Sequence, residues 1–172
     1  MEKFDLYDDN RIPLNKTINR GEICPPNTNR MTVHICIFNS KNEMLIQRRN
    51  LDKKNWGGLW DFSVGGCVQA GENTKQAATR ELREELGIQH DFTKDRQYLT
   101  IYFQTGFDDY FFLEKDVDIK DITLQKEEVM DCKWTNLDEI LELYDSNHFV
   151  PYIRSFLVSI FDLRTQYGVI LD

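Results

Sequence analysis

The chain has 172 residues, of which 41% are hydrophobic and 29% charged, a length and composition that suit one folded domain. The formal net charge of −8 argues against binding to nucleic acid polymers, whose phosphate backbone attracts basic proteins. No apolar run is long enough to span a membrane, no signal peptide is recognisable, and the four cysteines are widely spaced. We therefore expect a single cytoplasmic domain over residues 1–172, with its cysteines as reduced thiols.

The N-terminal segment, about residues 1–30, is polar and rich in turn signals. The segments 4–7 (FDLY) and 11–13 (RIP) flank the turn sequence Asp-Asp-Asn, and this pattern predicts a short hairpin. Tyr7 and Arg20 lie in this segment. We expect both to have surface roles, although lining a substrate cleft is the alternative.

Two strands are predicted next, at residues 32–38 (TVHICIF) and 44–48 (MLIQR), joined by a turn into a hairpin. His34 in the first strand is expected to be a half-buried core residue. Arg48 and Arg49 lie at the end of the second strand, where guanidinium groups suit phosphate oxygens. They are candidate substrate-binding residues, and an exposed strand end explains them equally well.

The segment 55–64 has two tryptophans on either side of a glycine pair. It predicts a loop that enters a short strand, with Trp60 in a packing role. Packing is also the preferred interpretation of Trp56, and stacking on a base or capping the cleft is its alternative. Gly65, Gly66 and Gly71 follow and predict a loop with tight turns that lets a ligand approach the backbone.

Residues 73–86 have the pattern of a helix. Asn73 is a candidate N-cap, with Gln76 three residues later in a capping-box arrangement, and Gly87 stands where a helix C-terminus favours a left-handed residue. The predicted buried stripe consists of Ala77, Ala78 and Leu82.

Glu81, Glu84 and Glu85 share one face of this helix, since spacings of three and four place Cβ atoms roughly 5–6 Å apart. Carboxylates at this spacing repel one another. A solvated acidic face is one interpretation. A site for Mg²⁺ or Mn²⁺ is the other, because these hard cations prefer oxygen ligands.

The remaining elements are predicted from alternation and turn signals. They are strands at 97–107 and 109–113 joined through residues 106–108, an acidic loop at 116–123, a strand at 129–134, a helix beginning with 137–143, and a final helix that starts at Pro151 with Ile153 on its packed face. Strands interleaved with helices in this order indicate a mixed sheet of the α/β class.

Residues 66–88 (GCVQAGENTKQAATRELREELGI) resemble a complete Nudix box: Gly66, five residues, Glu72, seven residues, then RELREELGI at 80–88. Such a match arises by chance on the order of 10⁻⁷ per chain of this size. The resemblance implies one Nudix domain, an α/β/α sandwich with a mixed β-sheet. It also implies Mg²⁺-dependent hydrolysis of the diphosphate linkage in a nucleoside diphosphate or related diphosphate conjugate. The expected partner is thus a small molecule, with the protein a monomer or homodimer.

The resemblance further implies roles for the box residues. The predicted ligands of Mg²⁺ or Mn²⁺ are the Gly66 carbonyl and the carboxylates of Glu81, Glu84 and Glu85. The same three glutamates are candidate catalytic residues. Glu72 is expected to hold the loop or an outer cation, and Arg80 to orient the carboxylates through charge-assisted hydrogen bonds.

The family's proton-accepting base is either a box glutamate or a carboxylate from a later loop. Outside the box, Glu128 is the predicted catalytic residue, and Glu127 beside it is expected to support it. Asp108 and Asp109 are the next candidates for the base. A solvated loop explains these carboxylates equally well.

Within the Nudix superfamily, the chain resembles the branch that includes type 1 isopentenyl-diphosphate isomerase. This resemblance covers about residues 31–140 and is carried by the segments 44–66 and 127–134. That isomerase needs a cysteine where this chain has Gly65, and Cys67 lies two residues later. Isomerase activity is therefore the alternative, and a non-catalytic Nudix-fold module that senses a nucleotide is a third hypothesis.

Overall fold

A computed structural model describes residues 2–166 and 168–170. The strands are β1 (Lys3–Tyr7), β2 (Pro13–Asn19), β3 (Arg30–Phe38), β4 (Met44–Arg49), β5 (Trp60–Asp61), β6 (Val64–Cys67), β7 (Leu99–Phe103), β8 (Gly106–Glu114) and β9 (Val129–Thr135). The helices are α1 (Thr74–Leu86), α2 (Leu137–Asp145) and α3 (Arg154–Leu163), with short 3-10 helices at Phe92–Lys94 and Ile119–Asp121. In the described part of the chain, no helix is long and apolar enough to cross a bilayer.

The strands form two sheets. β1 and β2 make the predicted N-terminal hairpin, and the larger sheet has the order β5-β4-β3-β8-β7, with β6 paired to β3 and β9 paired to β4. β3 and β4 are antiparallel, with Ile37 opposite Leu45, as the hairpin prediction requires. The mixed sheet with helices confirms the predicted α/β class.

The chain divides into two compact units. The first comprises Met1–Ile35, Gly65–Arg83 and Ile88–Phe111, and the second comprises Cys36–Val64, Glu84–Gly87 and Phe112–Asp172. Nothing in this division tests the expectation of a single domain, which stays a prediction.

The core of the first unit includes the predicted apolar stripe of α1. Ala77, Ala78 and Leu82 have no exposed surface. Phe92 is equally buried and its ring lies 5.3 Å from that of Phe111 on β8. The 3.6-residue periodicity therefore identified the buried face of α1 correctly.

The N-terminal hairpin has its own apolar cluster, in which Phe4, Leu6 and Ile18 are buried. Tyr7 is only 9% exposed, so its predicted surface role is wrong. Burial, more than the nearby charge of Asp5, raises the pKa of its hydroxyl. Arg20 is exposed, as expected, and its Nη1 lies 2.7 Å from Oε2 of Glu2.

The core of the second unit is built on β4 and its neighbours. Met44, Leu45 and Ile46 have no exposed surface, as a buried strand requires. The buried Ser63 hydroxyl accepts a hydrogen bond from the Ile37 amide at 2.8 Å and donates to the Leu45 carbonyl at 2.5 Å. This one side chain therefore satisfies backbone groups of both β3 and β4.

The join between β7 and β8 differs from its prediction. Phe103 pairs with Gly106, so the turn lies at residues 104–105 and Gly106 begins a strand. A Cβ atom on Gly106 would fall 2.3 Å from the Arg30 carbonyl oxygen. The glycine therefore permits close approach of another strand, whereas the sequence pattern was interpreted as a turn signal.

The start of α3 also differs from its prediction. The chain before it is held extended, because the Trp60 amide donates to the His148 carbonyl at 2.9 Å and the Val150 amide to the Trp60 carbonyl at 2.8 Å. The helix therefore begins at Arg154, not at Pro151. Ile153 is 76% exposed and does not belong to the packed face.

The packing role predicted for Trp56 is wrong. Its φ of 54° places it in the left-handed region, within a turn. Its side chain is 51% exposed.

Candidate active site

Helix α1 is capped at both ends as predicted. The Gln76 amide donates to Asn73 Oδ1 at 3.0 Å, and the Asn73 amide donates to Gln76 Oε1 at 2.9 Å, which completes a capping box. At the other end, Gly87 has a φ of 69°. These caps fix where the glutamates of α1 stand along the helix.

In the first unit, Arg80 is surrounded by oxygen acceptors. Its Nε and Nη2 donate to the two carboxylate oxygens of Glu72 at 2.8 and 2.9 Å. Nη2 also donates to the Cys67 carbonyl at 3.0 Å, and Nη1 lies 2.8 Å from Oε1 of Glu81. This geometry is the one that the predicted orienting role of Arg80 requires.

These contacts set the electrostatics of the first unit's site residues. Burial alone would raise the pKa of Glu72, but hydrogen bonds from Arg80 and the Gln69 amide outweigh it and lower that pKa. Burial disfavours the charged form of Arg80 too, yet Glu72 and Glu81 raise its pKa. Both side chains are therefore ionised together over a wide pH range.

Gly66 and Glu81 are brought together by the absence of a side chain at residue 66. A Cβ atom on Gly66 would lie 2.2 Å from Glu81 Oε1, so the carboxylate occupies the space of a side chain. Gly65 and Gly66 lie within β6, which corrects the prediction of a loop with tight turns there. Of the three predicted loop glycines only Gly71, with a φ of 85°, needs the left-handed region.

Glu84 and Glu85 belong to the second unit and differ in exposure. Glu84 is exposed, whereas Glu85 is only 4% exposed. Gln47 on β4 donates from Nε2 to Glu85 Oε2 at 3.1 Å. The Glu85 backbone carbonyl accepts from the Gln125 amide at 3.0 Å.

Gln47 is the site residue that the sequence interpretation missed. It follows three fully buried apolar residues on β4 and is itself only 3% exposed. The signal for it in the sequence is a polar amide directly after three apolar residues of a predicted strand, because a buried amide needs a specific partner.

Arg48 and Arg49 both contact groups of the second unit. Arg48 Nε donates to the Gly58 carbonyl at 2.9 Å, and Arg49 Nη1 lies 3.0 Å from Oδ2 of the buried Asp61. These contacts hold the segment that follows β4. The predicted role of both arginines in substrate binding stays a prediction.

The later carboxylates have unequal surroundings. Glu128 pairs with the Lys53 ammonium, and its carbonyl accepts from the Asn50 amide at 2.9 Å. Glu127 is exposed. Of these two carboxylates, Glu128 is therefore the one whose position is fixed by a partner, as a general base outside the box requires.

Asp109, the alternative from β8, is fully buried. Arg11 donates to its two carboxylate oxygens at 3.0 and 2.7 Å, and Thr100 donates at 2.6 Å. Such contacts are typical of a structural carboxylate, and the base role considered for Asp109 from the sequence stays a prediction. Asp108 accepts from the Thr32 hydroxyl and lies 3.7 Å from Nε2 of His34.

His34 is half-buried, as predicted. Its ring stacks on Tyr110 with centroids 4.9 Å apart. A Cβ atom on Gly65 would lie 3.1 Å from its Nδ1. The imidazole therefore limits the side chain that residue 65 can carry.

The predicted ligands are all oxygen donors, three carboxylates and a carbonyl, and this chemistry fits Mg²⁺ or Mn²⁺. Within residues 2–166 and 168–170, however, no three His, Cys, Asp or Glu side chains are grouped so as to hold a metal ion. In the structure Glu81 contacts Arg80, and Glu85 contacts Gln47. The assignment of Gly66 and the glutamates as ligands therefore stays a prediction.

Comparison with known proteins places these residues in a family context. The NUDIX domain model matches residues 28–156. An uncharacterised Nudix hydrolase of Listeria monocytogenes is 44% identical over 164 residues, which cover 95% of this chain and 96% of that protein. An isopentenyl-diphosphate Delta-isomerase of Salmonella arizonae is 32% identical over 112 residues, which cover 61% of this chain and 60% of the isomerase. A crystal structure from Deinococcus radiodurans has the same fold, with a TM-score of 0.76 at 22% identity over 92% of this chain and 98% of that one.

Proposed function

Since this chain belongs to the Nudix family and is one of its hydrolases, we propose that it hydrolyses the diphosphate linkage of a nucleoside diphosphate or a related diphosphate conjugate. Mg²⁺ or Mn²⁺ is the proposed cofactor. The proposed partner is thus a small anionic molecule and not a nucleic acid polymer, in keeping with the net charge of −8.

The contact between Gly66 and Glu81 is the observation that carries this proposal. The carboxylate lies where a side chain at residue 66 would be, and Arg80 contacts that carboxylate at 2.8 Å while donating twice to Glu72. Four specified positions of the box are thereby linked by direct contacts. Such a network holds charged groups in place before the substrate arrives, which is how electrostatic catalysis avoids reorganisation.

A bound divalent cation would neutralise charge on the phosphoryl oxygens and lower the pKa of an attacking water. The residues proposed to hold it are the Gly66 carbonyl, Glu81, Glu84 and Glu85. Arg80 keeps Glu81 oriented, and Glu72 keeps Arg80 in place through two hydrogen bonds.

Glu128 is the proposed proton acceptor outside the box. Its pairing with the Lys53 ammonium limits the rotamers of the side chain. Arg48 and Arg49 are proposed to contribute positive charge toward substrate phosphates, and Glu127 to support the loop that carries Glu128.

Isomerase activity is the second candidate, favoured by the likeness to the Salmonella arizonae protein. Two observations oppose it. Residue 65 is glycine, and the His34 ring stands where its side chain would extend. Cys67, two residues later, packs against the apolar cluster of the N-terminal hairpin, and burial raises the pKa of its thiol, which disfavours the reactive thiolate.

A substrate panel tests the proposal. The purified protein is incubated with Mg²⁺ and nucleoside triphosphates, sugar-linked nucleoside diphosphates or dinucleoside polyphosphates, and released mononucleotide and phosphate are measured. We expect turnover of at least one substrate class, abolished by chelator. In parallel, isopentenyl diphosphate is followed by NMR in deuterated water. If deuterium appears in an allylic product and no substrate of the panel is hydrolysed, the result favours the isomerase. If the protein is inactive in both assays, the result favours a nucleotide-sensing module.

A further inference from the structure

Gln47 is an unusual residue for its position. The first four residues of β4 are buried, and Met44, Leu45 and Ile46 have no exposed surface at all. Gln47 continues this buried run with 3% exposure. On β9 it faces Cys132, which is also buried. A strand in this environment favours aliphatic side chains, so a primary amide requires an explanation.

Among the described residues the side-chain amide of Gln47 makes one hydrogen bond, and the chemistry of its partner defines which end of the amide takes part. Nε2 lies 3.1 Å from Glu85 Oε2. An ionised carboxylate only accepts hydrogen bonds, so the NH₂ end of the amide must face Glu85. The other end, Oε1, is buried and has no hydrogen-bond partner among the described residues.

This arrangement is unfavourable for stability alone. A buried carbonyl oxygen with no donor retains the desolvation cost of a polar group, and an apolar side chain of similar length would not. The amide is therefore explained by what its NH₂ group does for Glu85. The backbone of Glu85 is held by Gln125, and Gln47 contacts the carboxylate at the end of its side chain.

On the basis of the proposed function, we propose that Gln47 is a positioning residue that holds the Glu85 carboxylate in the orientation needed for the divalent cation. Its NH₂ group donates to one carboxylate oxygen and so restricts the rotamers open to the Glu85 side chain. The same hydrogen bond compensates part of the cost of burying a charge at 4% exposure. Gln47 does not contact substrate in this proposal and acts only through Glu85.

The test separates metal binding from folding. Gln47→Met removes the NH₂ donor and retains the length and volume of the side chain. Mn²⁺ binding is measured on the purified protein by electron paramagnetic resonance, and stability by thermal unfolding in chelator. We expect Mn²⁺ affinity to fall about 10- to 100-fold, as it does when a residue that hydrogen-bonds a metal ligand is removed. We expect the melting temperature in chelator to be unchanged or raised.

Asn39 provides a matched control, being another buried amide that contacts a glutamate. Its side chain accepts from the amides of Lys41 and Glu43, both at 2.9 Å, and donates to the Glu43 carboxylate at 2.7 Å. Asn39→Leu should lower the melting temperature and leave Mn²⁺ affinity unchanged. This is the opposite of the pattern expected for Gln47→Met.

A double-mutant cycle shows whether Gln47 acts through Glu85. In a Glu85→Gln background, Gln47→Met should have almost no further effect on Mn²⁺ affinity. Two results would overturn the positioning role and leave the proposed metal site intact. One is an additive effect of the two substitutions on Mn²⁺ affinity. The other is a Gln47→Met protein that binds Mn²⁺ within twofold of wild type when Glu85→Gln does not. If wild type and Glu85→Gln bind Mn²⁺ equally weakly, the metal site of the proposed function fails as well. Gln47→Leu replaces Gln47→Met throughout if the latter does not fold.

Discussion

The guanidinium of Arg80 donates two hydrogen bonds to the carboxylate of Glu72, at 2.8 and 2.9 Å. Both side chains are mostly buried, with 15% and 22% of their surfaces exposed. Paired charge-assisted bonds of this type are stronger than bonds between neutral groups, and they fix orientation as well as distance. The pair joins the end of the glycine-containing segment to the second turn of α1.

The Arg80–Glu72 pair predicts an acid-dependent contribution to stability. Burial opposes ionisation of Glu72, but Arg80 and the Gln69 amide lower its pKa below the usual value of 4.5. The stabilisation is thus complete above that value and is lost as the pH falls through the lower folded-state pKa. Glu72→Gln should reduce the free energy of unfolding by about 1–3 kcal/mol at pH 7, and by much less near pH 3. Urea unfolding at both pH values measures this, and an equal loss at both would contradict the pairing.

Gly66→Ala tests the close approach of Glu81 to the backbone of β6. The added methyl group would lie 2.1 Å from the Glu81 carboxyl carbon, so the carboxylate must move. Since a displacement of about 1 Å can cost 10²-fold in rate, we expect kcat to fall roughly 10- to 100-fold. Gly71→Asn is the control, because that position is open and Asn tolerates a positive φ. Equal activity of Gly66→Ala and wild type would show that the contact is unimportant for turnover.

Arg11→Met separates a structural carboxylate from a catalytic one. The variant leaves the fully buried Asp109 without its guanidinium partner. Breaking a buried ion pair typically costs 3–5 kcal/mol, and because Arg11 is 27% exposed we expect a loss of about 3 kcal/mol in the free energy of unfolding. kcat should remain within about twofold of wild type in the folded protein. A large fall in kcat without destabilisation would return Asp109 to the candidate bases.

Local signals in the sequence were sufficient for α1 and for most strands. Asn73, Gln76 and Gly87 act through neighbours in the chain, so their capping roles are visible without a structure. Apolar alternation likewise located β3, β4 and β9 to within two residues. The N-terminal hairpin followed from its turn residues.

Features that depend on contacts distant in sequence were missed. Gly66 and Gly106 were interpreted as turn glycines, whereas each lies in a strand and admits a group from elsewhere in the chain. The partner of Asp109, Arg11, is 98 residues away, and that of Glu85, Gln47, is 38 residues away. The apolar periodicity of the sequence does not reveal such pairs, because they form only when strands and helices pack together.

The later carboxylates are ranked by a set of isosteric variants. If Glu128 is the base, Glu128→Gln should lower kcat about 10²-fold or more and change KM little, since proton transfer matters in the transition state. Glu127→Gln should have a smaller effect because that side chain is exposed. Asp118→Asn, on the same connection before β9, is the control and should be neutral. Equally small effects at all three positions would assign the base to Glu81, Glu84 or Glu85.

The most direct test of the central claim is the Mg²⁺ dependence of turnover in Glu84→Gln and Glu85→Gln. The measurement is the release of mononucleotide or phosphate from the best substrate of the panel, over a range of Mg²⁺ concentrations. Removing a carboxylate that holds the cation should lower kcat by roughly 10²- to 10⁴-fold in each variant. Circular dichroism should show a folded protein, because both substitutions remove like charges from one helix face. Near-normal turnover in both variants, with unchanged Mg²⁺ dependence, would contradict a metal site on α1.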